Sequence, residues 1–319
     1  MMKSRQGQRG AALLTAMIIV TLIASLAGGM VWQQYRAVQI EAADRARAQS
    51  TWVLQGALDW ARLILRTDKS DVDDLNDFWA TPLAESRLST FLAGESGSAN
   101  ADDGPEAFLS GYIEDAQSRY NLRALVGGAQ VPEEEKITLQ RLCSQVNVPP
   151  DTATLIIEGL RAAFPNPASA PASNTGNANS EGPIQPAGLE QLTWLGLTAD
   201  TIKRLQPYVV LLPKATPVNL NTASREVIGA LLNVDLASAE RVVQGRKGKA
   251  FKVPTDAAQF LPADTPIAPD RASVNSSYFL VTGRLRLDER QLEQRSLVER
   301  QGRTTIVLAR ERISQLVDR

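Results

Sequence analysis

MMKSRQGQRGAALLTAMIIVTLIASLAGGMV, residues 1–31, decides the architecture of this chain. Three cations (Lys3, Arg5, Arg9) precede Gly10, and no charge follows from Ala11 to Val31. Roughly 21 helical residues rising about 1.5 Å each reach about 30 Å, the thickness of a bilayer's hydrocarbon core. One membrane span over 11–31 is therefore expected. The leader's cations favour the cytoplasmic side and send everything after Trp32 across the membrane, which in a bacterium is the periplasm. A removable secretory signal has a shorter apolar core followed by its small-residue cleavage site. Here the small residue comes first, so a cut at Gly10 would leave the span attached; an uncleaved signal anchor is the plain alternative.

Gln8-Arg9-Gly10 followed by Ala11-Ala12-Leu13-Leu14-Thr15-Ala16-Met17 resembles a type IV prepilin-like leader, 1–10. The resemblance implies cleavage after Gly10 by prepilin peptidase and an N-methylated Ala11 as first residue. Pilins and most pseudopilins carry Glu at the fifth mature position, where this chain has Thr15. That departure is similar to the habit of one subfamily, the minor pseudopilin K of the type II secretion system. The family's buried Glu is thought to pair with the amine of a neighbouring subunit in the fibre. Thr15 cannot make that pair, which suits a subunit at the top of the fibre. An uncharged Thr is also cheaper than a carboxylate inside lipid.

With 319 residues, the part beyond the span has room for two domains of ordinary size. The formal net charge of -1 gives no basic excess for bulk nucleic-acid binding. The absence of histidine excludes a Ser-His-Asp triad and every His-bearing zinc site. A single cysteine excludes an internal disulfide. Cys143 shares the i, i+3, i+4, i+7 spacing of Leu139, Leu142 and Val146, a buried helix face.

From Gln33 to about Leu65 a polar helix is expected to continue the span, with Val38, Ala42, Ala46, Val53, Ala57, Trp60 and Ile64 forming one packing stripe. Asp68, Asp71, Asp73, Asp74 and Asp77 then make an acidic cluster ahead of Trp79. Asp71, Asp73 and Asp77 are its calcium candidates, the only cofactor suggested anywhere in the chain. The spacing lacks the central Gly and terminal Glu of an EF-hand loop, and a solvated acidic turn is the alternative. Residues 94–105 read as a loop, and Phe108–Asp115 as a strand.

Three helices are expected at about Glu133–Asn147, Asp151–Phe164 and Leu189–Tyr208. Between the last two, 165–188 is too rich in Pro, Asn, Ala, Ser and Gly to bury a core and reads as a disordered loop. Thr216-Pro217-Val218-Asn219-Leu220-Asn221-Thr222-Ala223 leads into a helix for which Asn221 is a plausible N-cap, and a second helix spans about 237–244. The pair resembles a helix-hairpin-helix or SAM-like unit and raises a rival reading, an anchored DNA-binding protein of the competence type. The link Asn233-Val234-Asp235 has no glycine and places an acid where a phosphate would sit, which favours a packing role and no nucleic-acid partner. Arg246, Lys247 and Lys249 read as a solvated basic loop. Phe279, Val281, Leu285 and Leu287 alternate with Leu280, Thr282, Arg284 and Arg286 as a half-buried strand. Gln291–Arg300 and Thr304–Arg310, joined at Gln301-Gly302, complete a meander.

The expected class is α+β: an N-terminal membrane helix running into a pilin-like spine packed on an antiparallel sheet, with a large inserted all-α domain. The head would comprise 32–118 and 273–319, and the insertion 119–272. Glu114-Asp115 and Asn121-Leu122 match the K subfamily's acidic residue and N-L step, so the resemblance covers nearly the whole chain. It implies a single-pass inner-membrane protein at the tip of the periplasmic pseudopilus, helping to initiate assembly and export of folded proteins across the outer membrane. The implied partners are the other minor pseudopilins, the major pseudopilin, prepilin peptidase and the inner-membrane assembly platform. Catalysis is not expected, because nothing in the sequence places two carboxylates in a cleft.

Overall fold

Alternating side chains along residues 107–115, 278–287 and 291–301 build a sheet with a helix on one side. The computed structural model describes residues 9–68, 71–88, 107–128, 130–149, 151–165, 184–287 and 290–316. Most of the leader, residues 69–70, the whole 94–105 loop and residues 166–183 of the expected 165–188 loop lie outside the described residues. The chain divides into two units, Met1–Gly56 and Ala57–Arg319.

Helix α1 is Arg9–Thr67. In the first unit its side chains are exposed from Ala12 to Gln49, and it includes a stretch long and apolar enough to cross a membrane.

In the second unit, five strands form an antiparallel sheet in the order β1 (Leu83–Arg87), β2 (Ala107–Asp115), β7 (Tyr278–Leu287), β8 (Arg290–Gln301) and β9 (Thr304–Leu316). Strand β2 pairs with β7 over its full length, from Ala107 opposite Leu287 to Asp115 opposite Phe279. Gly111 faces Gly283 across that pair, and a Cβ on Gly111 would stand 2.7 Å from the Thr282 carbonyl oxygen. The β8–β9 turn passes through Gly302 at φ +59°, a left-handed conformation that glycine adopts without steric cost. Leu58, Ala61 and Leu65 of α1 cover the sheet's inner face, packing with Trp79, Phe279, Val281 and Val298. Trp79 meets the Phe279 ring edge-on at 5.2 Å.

The covering face matches the expected stripe only in part: Ile64 packs against this core. Trp60 keeps 38% of its surface exposed, while Leu58 and Leu65 are buried. Apolar and small residues surround this end of α1 on more than one side, so spacing alone did not select the buried one.

Among the described residues between β2 and β7, the regular elements are helices and two-residue strands joined by loops. Helices α2 (Glu133–Gln145), α3 (Thr152–Ala163), α4 (Ala199–Leu205), α5 (Arg225–Leu231) and α6 (Leu236–Gly248) enclose a core. It contains Leu139, Leu142, Cys143, Ile156, Leu160, Val227, Ile228, Ala239 and Val242. Cys143 is packed there as its spacing implies, and burial pushes its thiol up to about 11. The helix expected over 189–208 is broken: a 3-10 segment, Leu189–Leu195, ends at Gly196 with φ +92°, and α4 restarts behind a Thr198 cap.

Two parallel pairs clip the block where the chain enters and leaves it. Strand β3 (Tyr120–Asn121) pairs with β4 (Val209–Val210), and β5 (Val218–Asn219) with β6 (Ala272–Ser273). Asn121 holds the first clip from its side chain: Oδ1 accepts from the Leu212 and Arg123 amides, and Nδ2 donates to the Lys214 carbonyl.

Candidate functional site

The residues singled out in the leader stand at the start of α1. Gly10 and Ala11 fall within its first turn. Thr15 Oγ1 donates to the Ala12 carbonyl at 3.0 Å, a local back-bond that satisfies a hydroxyl within its own helix. Position 15 thus offers a neighbouring chain no carboxylate.

In the second unit the sequence motifs converge on Asp115, the last residue of β2. The Gln117 amide donates to Asp115 Oδ1 at 2.7 Å. Its Oδ2 accepts from Thr222 Oγ1 (2.5 Å), Ser276 Oγ (2.7 Å) and Asn219 Nδ2 (3.0 Å). These donors come from the sheet's end, the helical block and the approach to β7, so a single carboxylate joins three chain segments. Asn219 Nδ2 also reaches the Asp73 carbonyl at 3.0 Å, and its Oδ1 accepts from the Asn221 amide. Asn221 in turn exchanges two bonds with the Phe251 backbone. It braces rather than caps: Ser224 is the N-cap of α5. Burial pushes the Asp115 carboxyl up to about 6, against the opposing pull of its donors, with Asp73 adding a small further push upward.

Arg300 of β8 closes the far side of this joint. Its Nη2 donates to both oxygens of Asp73, at 2.7 and 2.6 Å, and to the Ser276 carbonyl at 2.8 Å; Nη1 donates to Asp68 Oδ2 at 3.1 Å. The Ser276 amide donates to Asp73 Oδ2 at 2.7 Å. Burial raises the Asp73 carboxyl, and Arg300 opposes that shift. Carboxylate oxygens of Asp68, Asp73 and Asp77 lie within 4.8 Å of one another. Of the three calcium candidates, Asp73 and Asp77 are therefore brought together while Asp71 stands exposed outside the trio, its place taken by Asp68. Asp77 Oδ2 accepts from the Asp74 amide and the Trp79 indole. Calcium takes six to eight oxygen ligands, so these three carboxylates would hold it only with further ligands, and the Arg300 guanidinium already supplies a counter-charge to Asp68 and Asp73.

The acidic residue and the Asn-Leu-Asn-Thr-Ala stretch were visible as motifs, but their meeting was not. Ser276 and Arg300 lie in unremarkable sequence, and only a buried carboxylate's need for donors could have pointed to them. Asp115, Asn219, Thr222 and Ser276 are all buried, so their polar groups stand as structural ties closed to a substrate.

The α5–α6 hairpin is placed for packing. Arg141 of α2 donates to Asn233 Oδ1 and, at 2.8 Å, to the Val234 carbonyl, covering the turn that would have to approach a phosphate. Arg246 is buried and not part of a solvated basic loop: its Nη1 donates to the Leu220 carbonyl at 2.5 Å, and burial lowers its guanidinium to about 10. The DNA-binding rival is thereby disfavoured.

Comparison with known proteins agrees with this anatomy. Two family models described as type II secretion system, protein K, match residues 118–214 and 218–275, together spanning the helical block. The type II secretion system protein K of Pseudomonas aeruginosa is 26% identical over 90% of this chain and 87% of its own length. That of Klebsiella pneumoniae is 28% identical over 95% and 96%. Among solved structures, the GspK-GspI-GspJ complex of the enterotoxigenic Escherichia coli type 2 secretion system contains a similar fold. Its TM-score is 0.62 at 21% identity, covering 85% of this chain and 98% of that one. The ordered motifs, the helical block spliced between adjacent strands and these matches agree: along most of its length this chain is similar to type II secretion system protein K.

Proposed function

We propose that this subunit occupies the tip of the periplasmic pseudopilus, where it initiates assembly with the other minor pseudopilins and caps the fibre that moves folded proteins toward the outer membrane. On this reading, prepilin peptidase removes 1–10, the span 11–31 holds the chain in the inner membrane until assembly, and the remainder lies in the periplasm. Residues 32–118 and 273–319 make the pilin-like head, 119–272 the inserted domain, and α5–α6 a helix-hairpin-helix or SAM-like packing unit within it. The role is structural, in keeping with a family of secretion-system components.

The observation that carries the reading is the helical block inserted between β2 and β7, neighbouring strands in full register. Such bulk on one subunit is tolerated at an end and crowds its neighbours along a shaft. Thr15 points the same way, since it has no charge to offer the amine of a subunit above. A relative of similar fold was solved together with GspI and GspJ, which makes the equivalent minor pseudopilins the first partners to test. The full-length tagged chain, co-expressed with them and the major pseudopilin, is expected to retain both minor subunits at equal stoichiometry and only traces of the major one. Equimolar major pseudopilin would contradict a place at the tip.

A further inference from the structure

The first charge after Arg9 is Arg36. Helical rise puts these two residues about 40 Å apart, the headgroup-to-headgroup thickness of a bilayer rather than that of its hydrocarbon core alone. Arg36 does not stand by itself. Its guanidinium carbon lies 5.7 Å from the centre of the Trp32 ring, one turn earlier. Trp32 and Tyr35 are each 65% exposed, and Tyr35 and Arg36 are Trp32's i+3 and i+4 neighbours on the helix. Side chains on a helix lean toward its N-terminus, which is how Arg36 reaches back to the Trp32 ring. Next to a charge-free run, an amphipathic ring, a phenol and a guanidinium match an interface with carbonyls and phosphates on one side and acyl chains on the other. Arg36 brings the positive charge that a phosphate diester attracts.

We propose that Trp32, Tyr35 and Arg36 form a collar that binds phospholipid headgroups at the C-terminal end of the span and fixes the depth of α1 in the bilayer. The proposal rests on the single-span reading above. The collar would be the contact broken when the subunit leaves the membrane for the fibre.

The native chain suits a cysteine scan, because its one cysteine, Cys143, is buried. Single cysteines at positions 14, 23 and 27–40 would be introduced into the full-length chain, reconstituted in phosphatidylethanolamine–phosphatidylglycerol vesicles, with a charged maleimide supplied to both sides. Protection is expected through about residue 31, and full reactivity from about 37. In the Trp32→Ala, Tyr35→Ala, Arg36→Ala background the boundary should move by about one turn, or ~3–4 residues. Trp32→Tyr with Arg36→Lys should leave it in place. An unmoved boundary in the triple variant would overturn the collar while keeping the span. Reactivity at positions 14 and 23 would overturn the span, and the collar with it.

Discussion

Asn219 Nδ2 donates to Asp115 Oδ2 at 3.0 Å across a gap of 104 positions in sequence. This bond ties the inserted helical block to the last residue of the strand before it. Asn219 is wholly buried and also serves the Asp73 carbonyl and the Ser276 hydroxyl. Asn219→Ala would leave several buried groups short of a partner, each costing about 1–3 kcal/mol. The expected outcome is a loss on the order of 3 kcal/mol, read as a lower urea midpoint for the detergent-solubilised full-length chain. A change below about half a kcal/mol would show that the joint is not cooperative.

The same joint sets a pH dependence of definite sign. Asp115 titrates near 6 when folded, against an ordinary 3.8. The folded state therefore binds more protons between those values. Its contribution is fully present below about pH 4 and is lost as pH rises through 6, a difference on the order of 3 kcal/mol. Asp73, also raised by burial, acts in the same direction. Midpoints measured from about pH 4 to 7 for the wild type and Asp115→Asn should show a weaker fall with rising pH in the variant. Parallel curves would sink this assignment.

Gly245 of α6 lies under the Phe260 ring, where an added Cβ would approach ring carbons to 2.4 Å. Overpacking of this kind costs about 1–3 kcal/mol, so Gly245→Ala should lower the thermal midpoint. At Gly248, three residues on, an added Cβ would meet nothing within 4 Å. Gly248→Ala should be neutral or slightly stabilising. Equal effects at both positions would refute the steric explanation.

With Arg141 on the α5–α6 turn and Arg246 donating inward, the hairpin has little left to offer a phosphate backbone. Duplex DNA titrated with the full-length chain should give only weak, non-specific binding, and Lys247→Ala with Lys249→Ala should not change it. Tight binding with a steep salt dependence would restore the DNA-binding alternative.

What could be read from sequence followed local rules. The charge-free run, the Cys143 helix face and the alternation of Phe279 and Val281 all depend on near neighbours, and each appears in the fold. Strand β1 was missed because Leu83–Arg87 is short, charged and half-exposed, and pairs only along an edge. The break at Gly196 was missed because the apolar residues on either side keep helical spacing. The Asp115 joint lay furthest out of reach. Its motifs were conspicuous, yet Asp73, Asp115, Asn219, Ser276 and Arg300 are brought together only by the topology that returns β7 beside β2. Among the calcium candidates, density of carboxylates along the chain did not reveal that Arg300 would arrive from a distant strand.

The most direct test of the central claim, that this chain is a processed pseudopilin, is N-terminal sequencing and intact mass of the full-length protein co-expressed with a prepilin peptidase. Loss of residues 1–10 and recovery of N-methyl-Ala11 are the expected result. An uncut terminus at Met1 or Met2, under conditions where a known prepilin is cleaved, would contradict it.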